Sequence, residues 1–533
     1  FLMIRRPPRS THCISSAASD VYKRQIDNSL LILGPPGCGK TYRLIQEIKS
    51  ALDSGVHPSR IGVISFTRKA IEEMVSRACA EFNLTPKDFP YMRTSHSFGF
   101  NGLGLQRQDV MSAEDYAVVG SDLGLNFEGD DKTSIDDGVQ LPTIGGSGSQ
   151  YLQLEHRARY RMVNLEEEFN HAANRELFYP KLLQLSQQLS EYKSAMGKYD
   201  FVDMIEKYID VGDPPSLDYL FIDEAQDFTP LQWEMAKFIA SKAGRVIIAG
   251  DDDQAVHRWT GVDVDLFIKS SDNVERLTQS YRIPRSVHRL ASVISERIGG
   301  RLEKEFEPRE EEGMVEYTYH LDSIPFQEGT WTVMCRTNFY VIELAKWFRK
   351  SGFKYSVRGY PSISDKLVGN ILTWNDLCQD KSVGLERIRQ LYSALPKQGK
   401  DAKLKRASSK LLDALDPEAL IGMAQLQDDL GLLCGAESSA YDVLKVSTSE
   451  RNYIEAIERR GEGLLSAPRI KLSTFHAMKG GEDDNCVVYT ASTKACYETL
   501  FPEDEHRAFY VGITRARRRL YILQSDNKYR YTL

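Results

Sequence analysis

Two short runs in this chain carry residue types and spacings suited to phosphate chemistry. The first is Gly34-Pro35-Pro36-Gly37-Cys38-Gly39-Lys40-Thr41. Its glycines let backbone N–H groups curl around an anion without Cβ clashes, and a helix starting directly after them adds the positive end of its dipole. Lys40 would reach the β- and γ-phosphates of a nucleotide, and the Thr41 hydroxyl would ligate Mg²⁺. The second run is Asp223-Glu224-Ala225-Gln226-Asp227. Asp223 would hold Mg²⁺, directly or through water, and Glu224 would polarise an attacking water as general base. Together they imply a P-loop site that binds and hydrolyses a nucleoside triphosphate.

Such residues need a rigid frame. Leu30-Leu31-Ile32-Leu33 precedes the glycines, and the helical spacing Leu44, Ile45, Ile48, Leu52 follows them, so the first run reads as strand, tight loop and helix. Further short apolar runs at Ile61–Ser65, Tyr219–Ile222 and Val246–Ala249 predict buried parallel strands. A second set, Trp331–Cys335, Ile470–Leu472, Cys486–Tyr489 and Leu520–Leu523, alternates with helical patterns such as Val341, Ile342, Leu344, Ala345, Phe348. The fold class is therefore α/β, with two lobes built on parallel sheets. Two stretches interrupt the lobes, residues 101–217 and 360–468. Both predict mostly helical inserted subdomains. The first includes a Gly/Asp/Ser-rich loop, Glu128 to Gln150, and a helical stretch, Tyr151 to Ile209. Glu305 to Gly313 reads as an acidic surface turn. The resulting division is 26–100 with 218–284 as first lobe, and 285–359 with 469–533 as second.

Bulk properties narrow the function. The chain has 533 residues, 41% of them hydrophobic, which is ample for several cores. No run approaches the roughly 18 apolar residues of a membrane span. Eight cysteines without a CxxC pair argue against a disulfide scaffold, a zinc ribbon or an iron–sulfur cluster and point to reduced thiols in a cytosol. A net charge of −7 does not advertise a nucleic-acid partner, yet binding needs only a local basic groove. Phe1 to Gln25 has no apolar period and no signal-peptide core. Its Ser15–Gln25 segment resembles translated sequencing-adapter readthrough, so 1–25 is expected to be a non-native, disordered leader.

Around the two phosphate runs stands a longer ordered series. Ser65-Phe66-Thr67-Arg68-Lys69-Ala70, Thr94-Ser95-His96-Ser97-Phe98 and Tyr199-Asp200-Phe201-Val202-Asp203 precede the acidic run in sequence. Gly250-Asp251-Asp252-Asp253-Gln254 with Trp259 and Gly261, then Ser280-Tyr281-Arg282, Arg336-Thr337-Asn338, Thr474-Phe475-His476-Ala477-Met478-Lys479-Gly480-Gly481-Glu482 and Tyr510-Val511-Gly512-Ile513-Thr514-Arg515-Ala516-Arg517 follow it. In identity and order these resemble the motifs of superfamily 1 DNA helicases of the UvrD/Rep/PcrA kind, over about Leu30 to Leu523. The resemblance implies two RecA-like P-loop lobes, ATP and Mg²⁺ as cofactors, and single-stranded and forked DNA as partners, with replication or repair proteins besides. It implies 3′-to-5′ movement coupled to unwinding, in the cytosol of a bacterium or a phage-infected cell. A monomer is compatible with it.

Site residues carry over position by position. Lys40, Asp223, Glu224, Gln254, Arg282 and Arg515 form the implied catalytic set, with the two arginines, from different lobes, offsetting charge on the γ-phosphate. Gly34, Gly37, Gly39, Lys40, Thr41, Tyr281 and Glu482 are the implied nucleotide contacts, with Tyr281 stacking on adenine. Phe66, Thr67, His96, His257, Arg258, Trp259, Arg336, Thr474 and His476 are the implied DNA contacts. Bases offer a π-face regardless of sequence, and Trp259 and Phe66 match stacking positions.

The chain departs from the family pattern at several points. No adenine-reading glutamine precedes the P-loop outside the leader. His257 and Thr260 replace Tyr and Arg, Ser280 replaces Asn, and Gly481 replaces Leu. Thr260 cannot supply a cationic phosphate contact. Two alternatives to a helicase follow: a translocase that displaces proteins from single-stranded DNA without unwinding, and a nucleic-acid-binding module without turnover.

Overall fold

Strand β1, Ser29–Leu33, shows why the first sheet forms. Ile32 packs with Leu44, Ile45 and Ile48 on one face, while Leu31 and Leu33 pack with Leu220, Ile222 and Ile248 on the other. Apolar residues at every position of a strand suit burial on both faces. β2 (Ile61–Ser65), β3 (Tyr91–Thr94), β4 (Leu217–Asp223), β5 (Ala243–Gly250) and β6 (Val274–Arg276) complete a sheet of order β3-β2-β4-β5-β1-β6. Every pairing in it is parallel. The computed structural model describes residues 26, 28–127, 146–172, 177–498 and 502–533. The leader, and residues 128–145 of the expected Gly/Asp/Ser-rich loop, lie outside them.

Register decides where the chemistry gathers. Leu33 pairs with Gly250, and Ser65 with Asp223. The chain therefore leaves the sheet at Gly34, Phe66, Glu224 and Asp251 along one carboxyl edge, the edge where open α/β sheets take ligands.

By contact the chain divides into two compact units, Phe1–Gly313 with Thr499–Thr514, and Met314–Glu498 with Arg515–Leu533. This differs from a division at 284/285 drawn along the chain. The reason is packing: helix Arg285–Ser295 lies against helix Pro502–Ile513, so both fall in the first unit. The insertion of the first unit is helical, with Ala113–Ser121, Ser149–Tyr160, Leu165–His171 and Tyr179–Met196 around a core of Leu152, Leu182, Leu185 and Leu189, while Phe201–Val211 packs into the lobe core through Val202, Ile205 and Tyr208. The expected helical stretch is interrupted where Asn164 and Asp200 cap new helices. The Asp200 motif is a capping box, held by Arg159 at 3.0 Å and Lys193 at 2.5 Å.

The second unit has its own sheet. Its strands are β7 (Met314–Thr318), β8 (Trp331–Cys335), β9 (Tyr355–Val357), β10 (Tyr360–Pro361), β13 (Ile470–Thr474), β14 (Asp483–Tyr489) and β15 (Ala516–Leu523), in the order β10-β9-β13-β8-β14-β15-β7. All pairings are parallel except β10 on β9. Its insertion is mostly helical, including Asp365–Cys378, Leu385–Ala394 and Thr448–Arg459, with a small ladder of β11 (Val383–Gly384) and β12 (Leu420–Ile421). Both units are thus α/β lobes on parallel sheets with helical insertions.

Candidate functional site

The P-loop holds the conformation its glycines permit. Gly37 and Gly39 sit at φ +74° and +85°, the left-handed region that favours glycine. A Cβ at Gly37 would fall 2.4 Å from Arg282 Cβ, so the segment Ser280–Arg282 rests directly on the loop. Ser280 Oγ donates to Pro36 O at 2.8 Å and accepts from Ile283 N at 3.2 Å, while Tyr281 N donates to Gly37 O at 2.9 Å. The serine that departs from the family pattern is therefore a clamp between the P-loop and the arginine. Lys40 Nζ donates to Gly34 O at 2.7 Å and Pro35 O at 3.3 Å. Thr41 follows as second residue of helix Lys40–Asp53. Tyr281 is 72% exposed, a ring open to a ligand.

Across the same edge, β4 delivers the acid pair. Asp223 is buried; burial, and then the Glu224 carboxylate beside it, push its carboxyl up to about 7 against the Glu224 N–H and Lys40. A divalent cation would hold such a carboxyl ionised. Glu224 stands at φ +52°, costly for a residue with a Cβ. Its amide donates to Asp223 Oδ1 at 3.0 Å, and its Oε2 accepts from Gln226 Nε2 at 2.5 Å. Gln226 is fully buried and its Oε1 accepts from Asp251 N at 3.0 Å. Asp251 in turn accepts from Gln254 Nε2 at 2.7 Å. Among the described residues no cluster of three or more His, Cys, Asp or Glu could hold a metal by itself. Mg²⁺ sites use one or two carboxylates plus substrate phosphates, so Asp223 with Thr41 and a triphosphate fit that ion.

Sequence reasoning passed over what holds Asp251. Lys304, in the stretch after Arg301, places Nζ 2.7 Å from Asp251 and 3.0 Å from Asp253, and bonds Asp252 as well. Arg301 takes Asp253 with two bonds of 2.8 and 2.6 Å. Burial works to raise Asp251, but Lys304 and Lys40 outweigh it and hold the carboxyl below its usual range. No local pattern announces Lys304; its partners are about fifty residues away.

The implied DNA residues of the first unit fare differently. Trp259, in the turn Arg258–Thr260, is 52% exposed. Thr67 is exposed and caps helix Arg68–Phe82. Phe66 is only 5% exposed, its ring 4.9 Å from that of His257. Arg258 pairs with Asp504 at 3.2 Å. His96, also carried over as a DNA contact, is buried. It is 1% exposed, its Nε2 lies 3.0 Å from Tyr160 Oη, and Phe201 meets it edge-on at 5.6 Å. Packing partners from the insertion turn it into core.

Burial also pushes the His96 imidazole down to about 4. An unfolded imidazole titrates near 6.5, so the unfolded chain binds the extra proton first, and stability in place above pH ~6.5 is lost as pH falls toward 4. His96→Gln is expected to remove that share of the acid sensitivity, on the order of 3 kcal/mol by pH 4. Urea unfolding of both proteins at pH 7 and 4.5 measures it; identical pH dependence in the two would refute the assignment.

In the second unit the implied residues separate. Arg336 and Thr474 sit at the carboxyl ends of β8 and β13, with His476 just beyond. Glu482 and Arg515 directly precede β14 and β15, whose Asp483 and Ala516 are paired. Because these strands are parallel, the two sets lie at opposite ends of the strands, seven to eight residues apart in register and so about 25 Å apart by strand rise. Arg515 Nη1 donates to Gly481 O at 3.2 Å, and Glu482 pairs with Arg517 at 3.0 Å.

Residues 17–275 match the UvrD/REP helicase N-terminal domain, a match that begins within the stretch expected to be non-native, and residues 338–527 match the UvrD-like helicase C-terminal domain. The ATP-dependent DNA helicase PcrA of Bacillus subtilis (strain 168) is 23% identical over 93% of this chain and 80% of its own length. DNA helicase II of Escherichia coli (strain K12) is 25% identical over 52% of this chain and 39% of its own. A probable DNA helicase II homolog of Mycoplasma capricolum is 22% identical over 49% of this chain and 38% of its own. The chain thus spans well under half of the latter two relatives. On the two domain matches, which between them take in most of its residues, the chain belongs to the UvrD-like helicase family.

Proposed function

We propose that the chain is a DNA-dependent ATPase that walks along single-stranded DNA from 3′ to 5′ and opens duplex DNA with the energy of ATP hydrolysis. One observation carries this reading. The bonds Glu224–Gln226–Asp251–Gln254 run unbroken from the implied general base to the loop that ends in the exposed Trp259 turn. A group that answers to the γ-phosphate is thereby tied to an aromatic platform that can answer to a base. ATP with Mg²⁺ supplies the reaction; Lys40, Thr41 and Asp223 would hold them and Glu224 would take the proton of the attacking water. Single-stranded and forked DNA are the proposed partners, with replication or repair proteins in a bacterial or phage-infected cytosol. Among the described residues no helix is long and apolar enough to cross a membrane.

Phosphate release with and without oligo-dT, then strand separation on a fork with one tail of each polarity, tests the proposal. Unwinding from the 5′ tail alone would overturn the polarity, and turnover indifferent to DNA would overturn the rest. Trp259→Ala is expected to weaken oligo-dT binding about 5- to 150-fold, the equivalent of a lost stack of roughly 1–3 kcal/mol, with basal turnover within twofold. Equal loss of basal and stimulated turnover would count against stacking. A second reading, protein displacement without unwinding, draws support from Thr260, which is buried and leaves its turn without a cation at that position. Displacement of a bound protein with no fork opening would favour it.

A further inference from the structure

Arg258, carried over as a DNA contact, lies on a carboxylate: its Nη1 donates to Asp504 Oδ1 at 3.2 Å. Asp504 belongs to the first turn of helix Pro502–Ile513. One helical turn on, Arg507 brings its Nη1 to 3.8 Å from the same oxygen, too far for a hydrogen bond. Residues three apart share a helix face, so the carboxylate stands between two guanidiniums. Their surroundings differ. The Arg258 side chain is 31% exposed and that of Arg507 only 3%. Arg507 Nε donates to the Asp252 carbonyl at 3.1 Å, while its Nη1 is buried with no hydrogen-bond partner among the described residues. A buried donor left unsatisfied is costly, the more so on a charged group. Burial holds Asp504 above its ordinary range and Arg507 below its own, so one carboxylate does not fully serve two cations.

We propose that Asp504 is a positioning residue that exchanges partners: when Arg258 takes a DNA phosphate, the carboxylate closes on Arg507. The exchange needs a movement of about 1 Å, from 3.8 Å to the length of a charge-assisted bond. It satisfies the orphaned N–H and so offsets part of the cost of parting from Arg258. Arg507 also holds the Asp252 carbonyl, and Asp252 opens the turn that carries Gln254. DNA occupancy thereby reaches the loop that Glu224 and Gln226 bond to. The inference rests on the single-strand reading above and gives it a route from phosphate contact to nucleotide site.

A double-mutant cycle on the full chain tests it, with anisotropy of labelled oligo-dT for affinity and phosphate release for turnover. Arg507 is buried and cannot itself meet DNA. Arg507→Gln is nevertheless expected to weaken oligo-dT binding at least about twofold, because the carboxylate loses its second partner. In an Asp504→Asn background the same substitution is expected to leave affinity unchanged. The ratio of turnover with oligo-dT to turnover without it is expected to fall about fivefold or more in Asp504→Asn, the low end for coupled sites. A purely structural contact would lower stability without making DNA affinity depend on the pair. Equal effects of Arg507→Gln in the two backgrounds overturn the proposal, as does a parental ratio in Asp504→Asn. If Arg507→Gln does not fold by circular dichroism, the ratio in the isosteric Asp504→Asn decides alone. A parent that neither binds nor answers to oligo-dT overturns the single-strand reading instead, and the proposal with it.

Discussion

Glu224→Gln is expected to lower DNA-stimulated ATP turnover by roughly 10²- to 10⁴-fold, the usual contribution of a general base, while nucleotide affinity changes little. The geometry makes this a clean removal of basicity. Gln226 Nε2 donates to one oxygen of the Glu224 carboxylate, and an amide oxygen at the same place can still accept it. The backbone at φ +52° is held by the bond from its own N–H to Asp223, which the substitution leaves alone. The scaffold of the acid pair should therefore persist while the proton acceptor is lost. Phosphate release at saturating ATP and oligo-dT gives kcat, and a fluorescent ATP analogue gives affinity. A kcat within threefold of the parent would remove Glu224 from the role of base. A matching collapse of nucleotide affinity would place it in binding instead.

The parts of this site legible in the sequence are those whose geometry is local. The P-loop needs glycines at positive φ within six residues, and Gly37 and Gly39 show it. Leu30–Leu33 and Tyr219–Ile222 are central strands covered on both faces, so they are continuously apolar and easily read. Tyr91–Thr94, Val274–Arg276 and Met314–Thr318 are strands at sheet edges. With one side open, they alternate or stay short, and no apolar run marks them. Side-chain direction was the other blind spot. Motif membership places His96 beside the strand path, but Tyr160 and Phe201, 64 and 105 residues further on, decide that its ring points inward. Ser280 illustrates the converse: a departure from the family pattern that reads as a loss proves to be a bond to Pro36.

Lys304 had no local signature at all, yet its removal is expected to have the largest effect on stability. Its ammonium is buried among the carboxylates of Asp251, Asp252 and Asp253, all three fully buried. Burial alone would disfavour the charge, but the three acids hold it above its usual range. Lys304→Met keeps the length of the side chain but removes the ammonium that the three acids share, leaving Arg301 on Asp253, Gln254 on Asp251 and the Leu302 amide on Asp252. Removing one partner of a buried ionic cluster costs about 3–5 kcal/mol. In the parent, Asp251 titrates below its unfolded value of about 3.9, so its favourable share is in place above that pH and is lost below it. In the variant the same burial acts without Lys304. The carboxyl then titrates higher, is unfavourable at neutral pH, and is relieved as pH falls through its raised value. Urea unfolding followed by circular dichroism is therefore expected to show a gap of about 3–5 kcal/mol at pH 7.5 that narrows at pH 5.5. Because Asp251 also holds Gln254, kcat for ATP is expected to fall more than KM rises in whatever fraction stays folded. A gap under about 1 kcal/mol, in the range of a solvent-exposed ion pair, would mean that the aspartates find other partners and that Lys304 does not set the loop.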